Sequence, residues 1–325
     1  MPLDRCTNQR KNSRWLAAEF NHENTLFCII KDGMSFFDKN NGLLPVYLGK
    51  EQLSSVGIDS CVYLGKGVNE SIFAIDYHKL RFSTQEQLDE SGQWLPLRQI
   101  TVSLNGQDAA ILALGKALVH WHNSHQYCGH CGNLNKSVEA GHARKCTECR
   151  NLTFPRTDPA VIMLVERMFD DGIARCLLGR QASWPEGVFS TLAGFVDPGE
   201  SLEEAVTREV LEETAIEVKN PHYITSQPWP FPASIMLGFT AEATSEAIDT
   251  RQDDLQIAQW FTRVQLANFL TNSFAINTET LSKKPTELKS KDVEISSEQQ
   301  YKMSSGDSIS SYLITAWLNK EIGKY

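Results

Sequence analysis

No run of about 18 apolar residues occurs in this 325-residue chain, so no helical membrane span is expected. The start, Met1 to Arg14, is polar and lacks the apolar stretch of a secretory signal. The end, Ile322-Gly323-Lys324-Tyr325, is not a Ser-Lys-Leu type peroxisomal address, and a cytoplasmic protein is the expectation. A basic stripe is missing too. The formal net charge is −9, which argues against non-specific nucleic-acid binding. An acidic protein that acts on an anionic substrate needs cations at its site, and this points to bound metal. Cysteine is too sparse for a secreted disulfide scaffold: of eight, Cys128, Cys131, Cys146 and Cys149 are clustered, while Cys6, Cys28, Cys61 and Cys176 are scattered. A reducing compartment with one metal centre fits that distribution.

What is present divides into three stretches. Residues 1–122 carry short apolar runs (Leu26–Ile30, Leu43–Leu48, Cys61–Leu64, Ser71–Ile75) between turn signals, as strands of a small β-rich domain require. Asp108–His122 follows, with Ile111, Leu114, Leu118 and Trp121 at helical spacing. This stretch shows no catalytic constellation, and a scaffold or dimerisation role is expected of it. Residues 123–157 contain the cysteine cluster. Residues 158–325 alternate strand and helix: strands over Ala160–Val165 and Arg175–Leu178, a glycine loop, a helix over Ser201–Thr214, then strands near Tyr223 and over Ile235–Thr240. Within them, 276–307 is polar with few apolar anchors and reads as a flexible insertion.

Cys128-Gly129-His130-Cys131 and Cys146-Thr147-Glu148-Cys149 are two C-x-x-C knuckles with 14 residues between them. Two thiolates from each make a closed tetrahedral set suited to one structural Zn²⁺ per chain, with no open position for chemistry. His125, His130 and His142 then read as surface residues rather than ligands.

The segment Gly194 to Ile216 is the most informative. Ser201 and Glu204 form an S-x-x-E capping box, so a helix should begin there. At roughly 100° per residue, Glu209, Glu212 and Glu213 fall within an arc of roughly 100°. Crowded carboxylates repel, and Mg²⁺ or Mn²⁺ relieves the repulsion. Arg208, four residues before Glu212, can pair at the edge of the cluster. Gly194, Glu200, Arg208, Glu209, Val210, Glu212, Glu213 and Ile216 match the Nudix box, G-x5-E-x7-R-E-U-x-E-E-x-G-U with U aliphatic. Ala215 departs from its second glycine, which matters only if that position needs positive φ.

The chain therefore resembles the Nudix hydrolases. The resemblance implies an α/β/α sandwich around a mixed sheet, preceded here by a zinc ribbon and the β-rich N-terminal domain. It also implies hydrolysis of a nucleoside diphosphate linked to another group. It assigns two or three Mg²⁺ or Mn²⁺ ions to Glu209, Glu212 and Glu213, with the Ala193 carbonyl as a further ligand and Gly194, Glu200 and Arg208 as support. Which glutamate accepts the proton of the attacking water is left open.

Downstream, Ser226-Gln227-Pro228-Trp229-Pro230-Phe231-Pro232-Ala233-Ser234 is a stiff string of prolines and aromatic faces suited to stacking on a base or nicotinamide ring. It matches the S-Q-P-W-P-F-P-x-S signature of the NADH pyrophosphatase branch, as does a four-cysteine ribbon before the catalytic domain. Phe154-Pro155-Arg156-Thr157-Asp158-Pro159 resembles that branch's link between the two. By this resemblance Phe154 and Gln227 to Ser234 (Gln227, Pro228, Trp229, Pro230, Phe231, Pro232, Ala233, Ser234) line a dinucleotide pocket. Asp254, six residues before Trp260, completes the metal site in place of the usual glutamate. Ser308–Leu313 resembles a C-terminal segment that returns to the pocket. NADH would yield NMNH and AMP; NAD⁺ and NAD-capped RNA 5′ ends are further substrates the resemblance admits, and it suggests a homodimer. Two rivals stand beside this reading: a Nudix hydrolase of another nucleotide such as ADP-ribose, and an inactive nucleotide- or RNA-binding module.

Overall fold

The computed structural model describes residues 3–39, 44–53, 56–251, 255–267, 302–303 and 305–325. The chain divides into two units, Met1–Thr157 with Pro228–Ser234, and Asp158–Gln227 with Ile235–Tyr325.

The first unit is built on a six-stranded sheet of β1 (Thr25–Lys31), β2 (Met34–Asp38), β3 (Tyr47–Gly49), β4 (Cys61–Lys66), β5 (Ser71–Asp76) and β6 (Gly92–Pro96). The strand order is β4-β5-β1-β2-β6, with β3 also on β1. β1 and β5 run parallel in the centre and are apolar on both faces, as a strand covered on both sides must be. Phe27, Ile29, Phe73 and Ile75 point into one cluster, and Cys28, Ile30, Ile72 and Ala74 into the other. The second cluster is closed by α4 (Gly106–Ser124), through Ile111, Leu112, Leu118 and Val119. The Asn105 side chain caps that helix, accepting from Gln107 N and Asp108 N. A three-stranded sheet follows: β7 (Asn135–Val138), β8 (Ala143–Cys146) and β9 (Leu152–Thr153).

The second unit is an α/β/α sandwich. Its sheet runs β14-β15-β10-β11-β16, with β13 on β10: β10 (Asp158–Met168), β11 (Ala174–Gln181), β13 (Leu192–Phe195), β14 (Val218–Trp229), β15 (Ser234–Ala243) and β16 (Leu255–Thr262). β10 alternates: Val161, Met163 and Val165 meet α5 (Leu202–Thr214) through Ala205, Val206 and Val210. Ile162 and Leu164 meet a final helix, Ile309–Leu318, through Leu313, Ile314 and Trp317. Period-two burial on both faces is what a strand between two helical layers demands.

One expectation needs correction. The polar stretch 276–307, expected to be a flexible insertion, includes a strand, Lys302–Met303, paired in parallel with Val188–Phe189. Met303 supplies the apolar anchor, buried with Phe189, Leu313 and Trp317. Residues 276–301 and 304 lie outside the described residues. At Ala215, where the departure from glycine matters only if φ is positive, the structure meets that condition. This residue is the left-handed C-cap of α5, at φ 57° and ψ 18°, donating its N–H to Leu211 O. A Cβ is costly in that conformation, by roughly 1–2 kcal/mol, so this position does call for glycine.

Ala215→Gly should therefore stabilise the second unit. After allowing for the freer unfolded chain, the gain is about 0.5–1 kcal/mol, read as a rise of roughly 1–4 °C in the thermal midpoint. An unchanged or lower midpoint would count against the strain.

Candidate active site

The carboxylates of α5 are set in phase by the capping box. Ser201 N donates to Glu204 Oε2 at 2.7 Å, and Glu204 N donates to Ser201 Oγ at 3.2 Å. Together they fix Leu202 as the first helical residue.

Arg208 is the hub. Its Nε donates to Glu200 Oε1 at 2.6 Å and its Nη2 to Glu200 Oε2 at 2.9 Å, a bidentate pair. Nη1 donates to Glu209 Oε1 at 3.0 Å and to Glu212 Oε2 at 2.9 Å. Nη2 also donates to the carbonyl of Phe195 on β13 at 2.8 Å. The pairing with Glu212 was expected from spacing; the stronger one with Glu200, across the glycine loop, was not. The Arg208 guanidinium, with the Asp197 N–H, holds the Glu200 carboxyl down to about 2. The guanidinium is raised in turn, by Glu200 first and then by Glu212 and Glu209.

Glu209 lies against the strand backbone. A Cβ on Gly194 would stand 1.8 Å from its Cδ and 2.0 Å from each carboxylate oxygen. The first glycine of the box thus leaves room for the Glu209 carboxylate, which a Cβ there would push aside. Ala193 is its neighbour on β13, opposite Ile162 in register. Glu213 is buried at 7% exposure, whereas the Glu212 side chain is 55% exposed. Carboxylate and carbonyl oxygens are hard donors that fit Mg²⁺ or Mn²⁺. Glu209, Glu212 and Glu213 share α5 but are not drawn to one point. Among the described residues, only the four cysteines have three or more ligand atoms within 4.8 Å of one another.

Those sulfurs fit their ion closely. Cys128 and Cys149 Sγ are 3.6 Å apart; Cys131 Sγ is 3.4 Å from both Cys146 and Cys149. A tetrahedron of sulfurs about 2.3 Å from zinc has edges of about 3.8 Å. The backbone N–H of Asn133, then its side chain, holds the Cys131 thiol down to about 6, favouring the thiolate that a metal needs. Against the Asn151 N–H, which lowers it, the Cys131, Cys146 and Cys128 sulfurs raise the Cys149 thiol to about 12, and burial pushes the scattered Cys28 and Cys61 thiols up to about 12 as well. His130 is exposed, as expected of a non-ligand. His142 is not a surface residue: it is half-buried against the Tyr63 carbonyl at 2.6 Å, and burial lowers it to about 4.

The aromatic–proline string is divided. Gln227 belongs to the second unit and has both ends of its amide engaged: Nε2 donates to Asp307 O and Oε1 accepts from Ile309 N, each at 2.8 Å. It therefore pins the start of the last helix. There Ser308 caps, and the buried Ser310 hydroxyl accepts from Thr191 N at 3.0 Å, just before β13. Pro228, Trp229, Pro230, Phe231, Pro232, Ala233 and Ser234 fall in the first unit. Trp229 and Phe231 meet edge-to-face at 5.1 Å. Phe231 is half-buried against the α4-side core, so its ring is less available for stacking than the sequence suggested. Phe154 remains 59% exposed. Asp254 lies outside the described residues. Sequence reasoning missed Arg98 and Lys116, which stand over the Trp229 and Phe231 rings. No local signal links residues more than a hundred positions apart.

Three family models match in succession. They are an NADH pyrophosphatase-like rudimentary NUDIX domain over 24–121, an NADH pyrophosphatase zinc ribbon domain over 123–154 and a NUDIX domain over 156–280. The human protein named NAD-capped RNA hydrolase NUDT12 is 32% identical over 310 residues; the match covers 83% of this chain and 66% of that protein, just under two thirds of its length. Nudix hydrolase 19, chloroplastic, of Arabidopsis thaliana is 35% identical over 307 residues, covering 83% of this chain and 68% of its own. NAD-capped RNA hydrolase NudC of Pseudomonas aeruginosa is 40% identical over 168 residues, covering 52% and 59%. With the box glutamates braced on a capped helix and a thiolate cage before them, these matches establish that the chain belongs to the Nudix hydrolase family, with the zinc ribbon of the NADH pyrophosphatases.

Proposed function

We propose that this protein hydrolyses the diphosphate linkage of NADH and NAD⁺, giving NMNH or NMN and AMP, and removes NAD caps from RNA 5′ ends. The observation that carries the reading is the Glu209 carboxylate seated on the Gly194 backbone beside Ala193, with Glu213 buried on the same helix. Relatives named NAD-capped RNA hydrolase and NAD(P)H pyrophosphatase support the choice of substrate.

Glu209, Glu212, Glu213, the Ala193 carbonyl and Asp254 are the groups we assign to divalent metal, two or three ions of Mg²⁺ or Mn²⁺. Bound metal supplies charge neutralisation for the diphosphate and a lowered pKa for the attacking water. Arg208 orients Glu209 and Glu212 and ties them to Glu200 and β13, so the carboxylates meet the substrate already placed. Water adds to one phosphorus of the anhydride as a box glutamate takes up its proton; the bridging P–O bond breaks, and AMP and NMN or NMNH separate as monophosphates. Phe154 and the Gln227–Ser234 string receive the bases and rings of the dinucleotide by stacking. The four cysteines hold one Zn²⁺, which braces the ribbon and has no open position for chemistry. A reducing, cytoplasmic setting suits those thiolates, and a homodimer completes the reading. Among the described residues, no helix is long and apolar enough to cross a membrane.

The deciding assay follows AMP release from NADH, NAD⁺ and ADP-ribose and NMN release from NAD-capped RNA, with Mg²⁺ or Mn²⁺ and with EDTA. Cleavage of ADP-ribose alone would refute the dinucleotide reading, and EDTA-resistant turnover the metal reading.

Glu213→Gln should lower Mg²⁺-dependent turnover by about 100-fold or more with a nearly unchanged melting curve. Full activity in that variant would exclude the scheme. Gly194→Ala should displace the Glu209 carboxylate and reduce kcat by about tenfold or more while far-UV circular dichroism stays constant. Wild-type kcat would mean Glu209 does not need its seat. Cys131→Ser should abolish the bound zinc and drop the thermal midpoint by about 5 °C or more. Elemental analysis showing a full zinc atom would contradict the four-sulfur cage.

A further inference from the structure

Two cations of the N-terminal unit stand over the aromatic–proline segment. Lys116 on α4 has its Nζ 5.4 Å from the centroid of the Phe231 ring, and Arg98, in the short helix Leu97–Ile100, has its Cζ 5.4 Å from that of Trp229. The Lys116 side chain is confined. Its Nζ lies 3.0 Å from where a Cβ on Gly33 would stand, in the turn between β1 and β2. Lys116 is half-buried, burial lowers its pKa, and no charged group among the described residues offsets that. An ammonium partly stripped of water without a counter-charge is costly. The negative face of an aromatic ring is one of the few groups that compensates it. Phe231 in turn packs against the core made by β1, β4, β5 and α4, and touches Trp229 edge-to-face. Cation, ring and core thus form one chain of contacts that ends on the segment assigned to the substrate.

We propose that Lys116 and Arg98 are positioning residues for substrate recognition. Through the faces of Phe231 and Trp229 they fix residues 228–234 in the shape that receives the dinucleotide, an inference that rests on the dinucleotide reading above. The rudimentary N-terminal domain then acts in specificity, beyond serving as a scaffold.

The test compares Lys116→Met, which removes the charge and keeps a long apolar stem, with Lys116→Arg, which restores it, and with Arg98→Met. In the full-length, ligand-free protein, amide exchange at Trp229, Phe231 and Ala233 should rise about 3–10-fold in both Met variants and stay near wild type in Lys116→Arg. KM for NADH should rise by a similar factor and by more than kcat falls. Unchanged exchange at these amides in both Met variants overturns the proposal, as does faster exchange with an unaltered KM. If Lys116→Met loosens all of β1 to β5, the Arg98→Met variant, altered at an exposed side chain, decides alone. A wild-type protein inactive on NADH would instead sink the substrate reading, while the exchange comparison still decides whether the cations hold the segment.

Discussion

Three carboxylates, Glu200, Glu209 and Glu212, converge on the guanidinium of Arg208, which relieves the repulsion among them. Two like charges about 4 Å apart near a protein surface oppose each other by roughly 4 kcal/mol. The fork geometry of Arg208 gives two donors to Glu200 and spreads the rest over Glu209, Glu212 and the Phe195 carbonyl. Carboxylates crowded in this way are the groups we assign to divalent cations.

Local chemistry supports that crowding at each end of α5. The reciprocal Ser201–Glu204 bonds start the helix at one defined residue, and a shift by one position would turn Glu209 away from Gly194. At the far end, Ala215 accepts a left-handed conformation that a glycine adopts more cheaply. Ala205, Val206 and Val210 pack α5 onto β10, and at helical spacing Ala205 and Val206 lie on the same side as Glu209 and Glu213, which sets those carboxylates against the sheet.

The ribbon and the N-terminal sheet contribute in another way. A four-sulfur cage replaces the core that a three-stranded sheet is too small to bury. The N-terminal sheet carries apolar clusters on both faces, and the helices packed on one of them offer Arg98 and Lys116 to the Trp229 and Phe231 rings. A segment that looks continuous in sequence is therefore shared: Gln227 serves the start of the last helix, while Trp229 and Phe231 join the N-terminal unit.

Patterns that depend on neighbours in sequence were legible without coordinates. The two cysteine knuckles, the capping box, the helical phase of Glu209, Glu212 and Glu213, and the strand over Ala160–Val165 each follow from the pattern along one element. What required the tertiary structure were contacts between distant residues. These are the seat of Glu209 on Gly194, the bidentate Glu200–Arg208 pair across the loop, the burial of His142 on Tyr63, and the strand at Lys302–Met303 anchored by one methionine. They also include the cations over the aromatic string. Asp254 stays an expectation from sequence, because it falls outside the described residues. The physical reason for the divide is that local spacing fixes which way a side chain leaves its own helix or strand, whereas what it meets there depends on how the chain returns from far away.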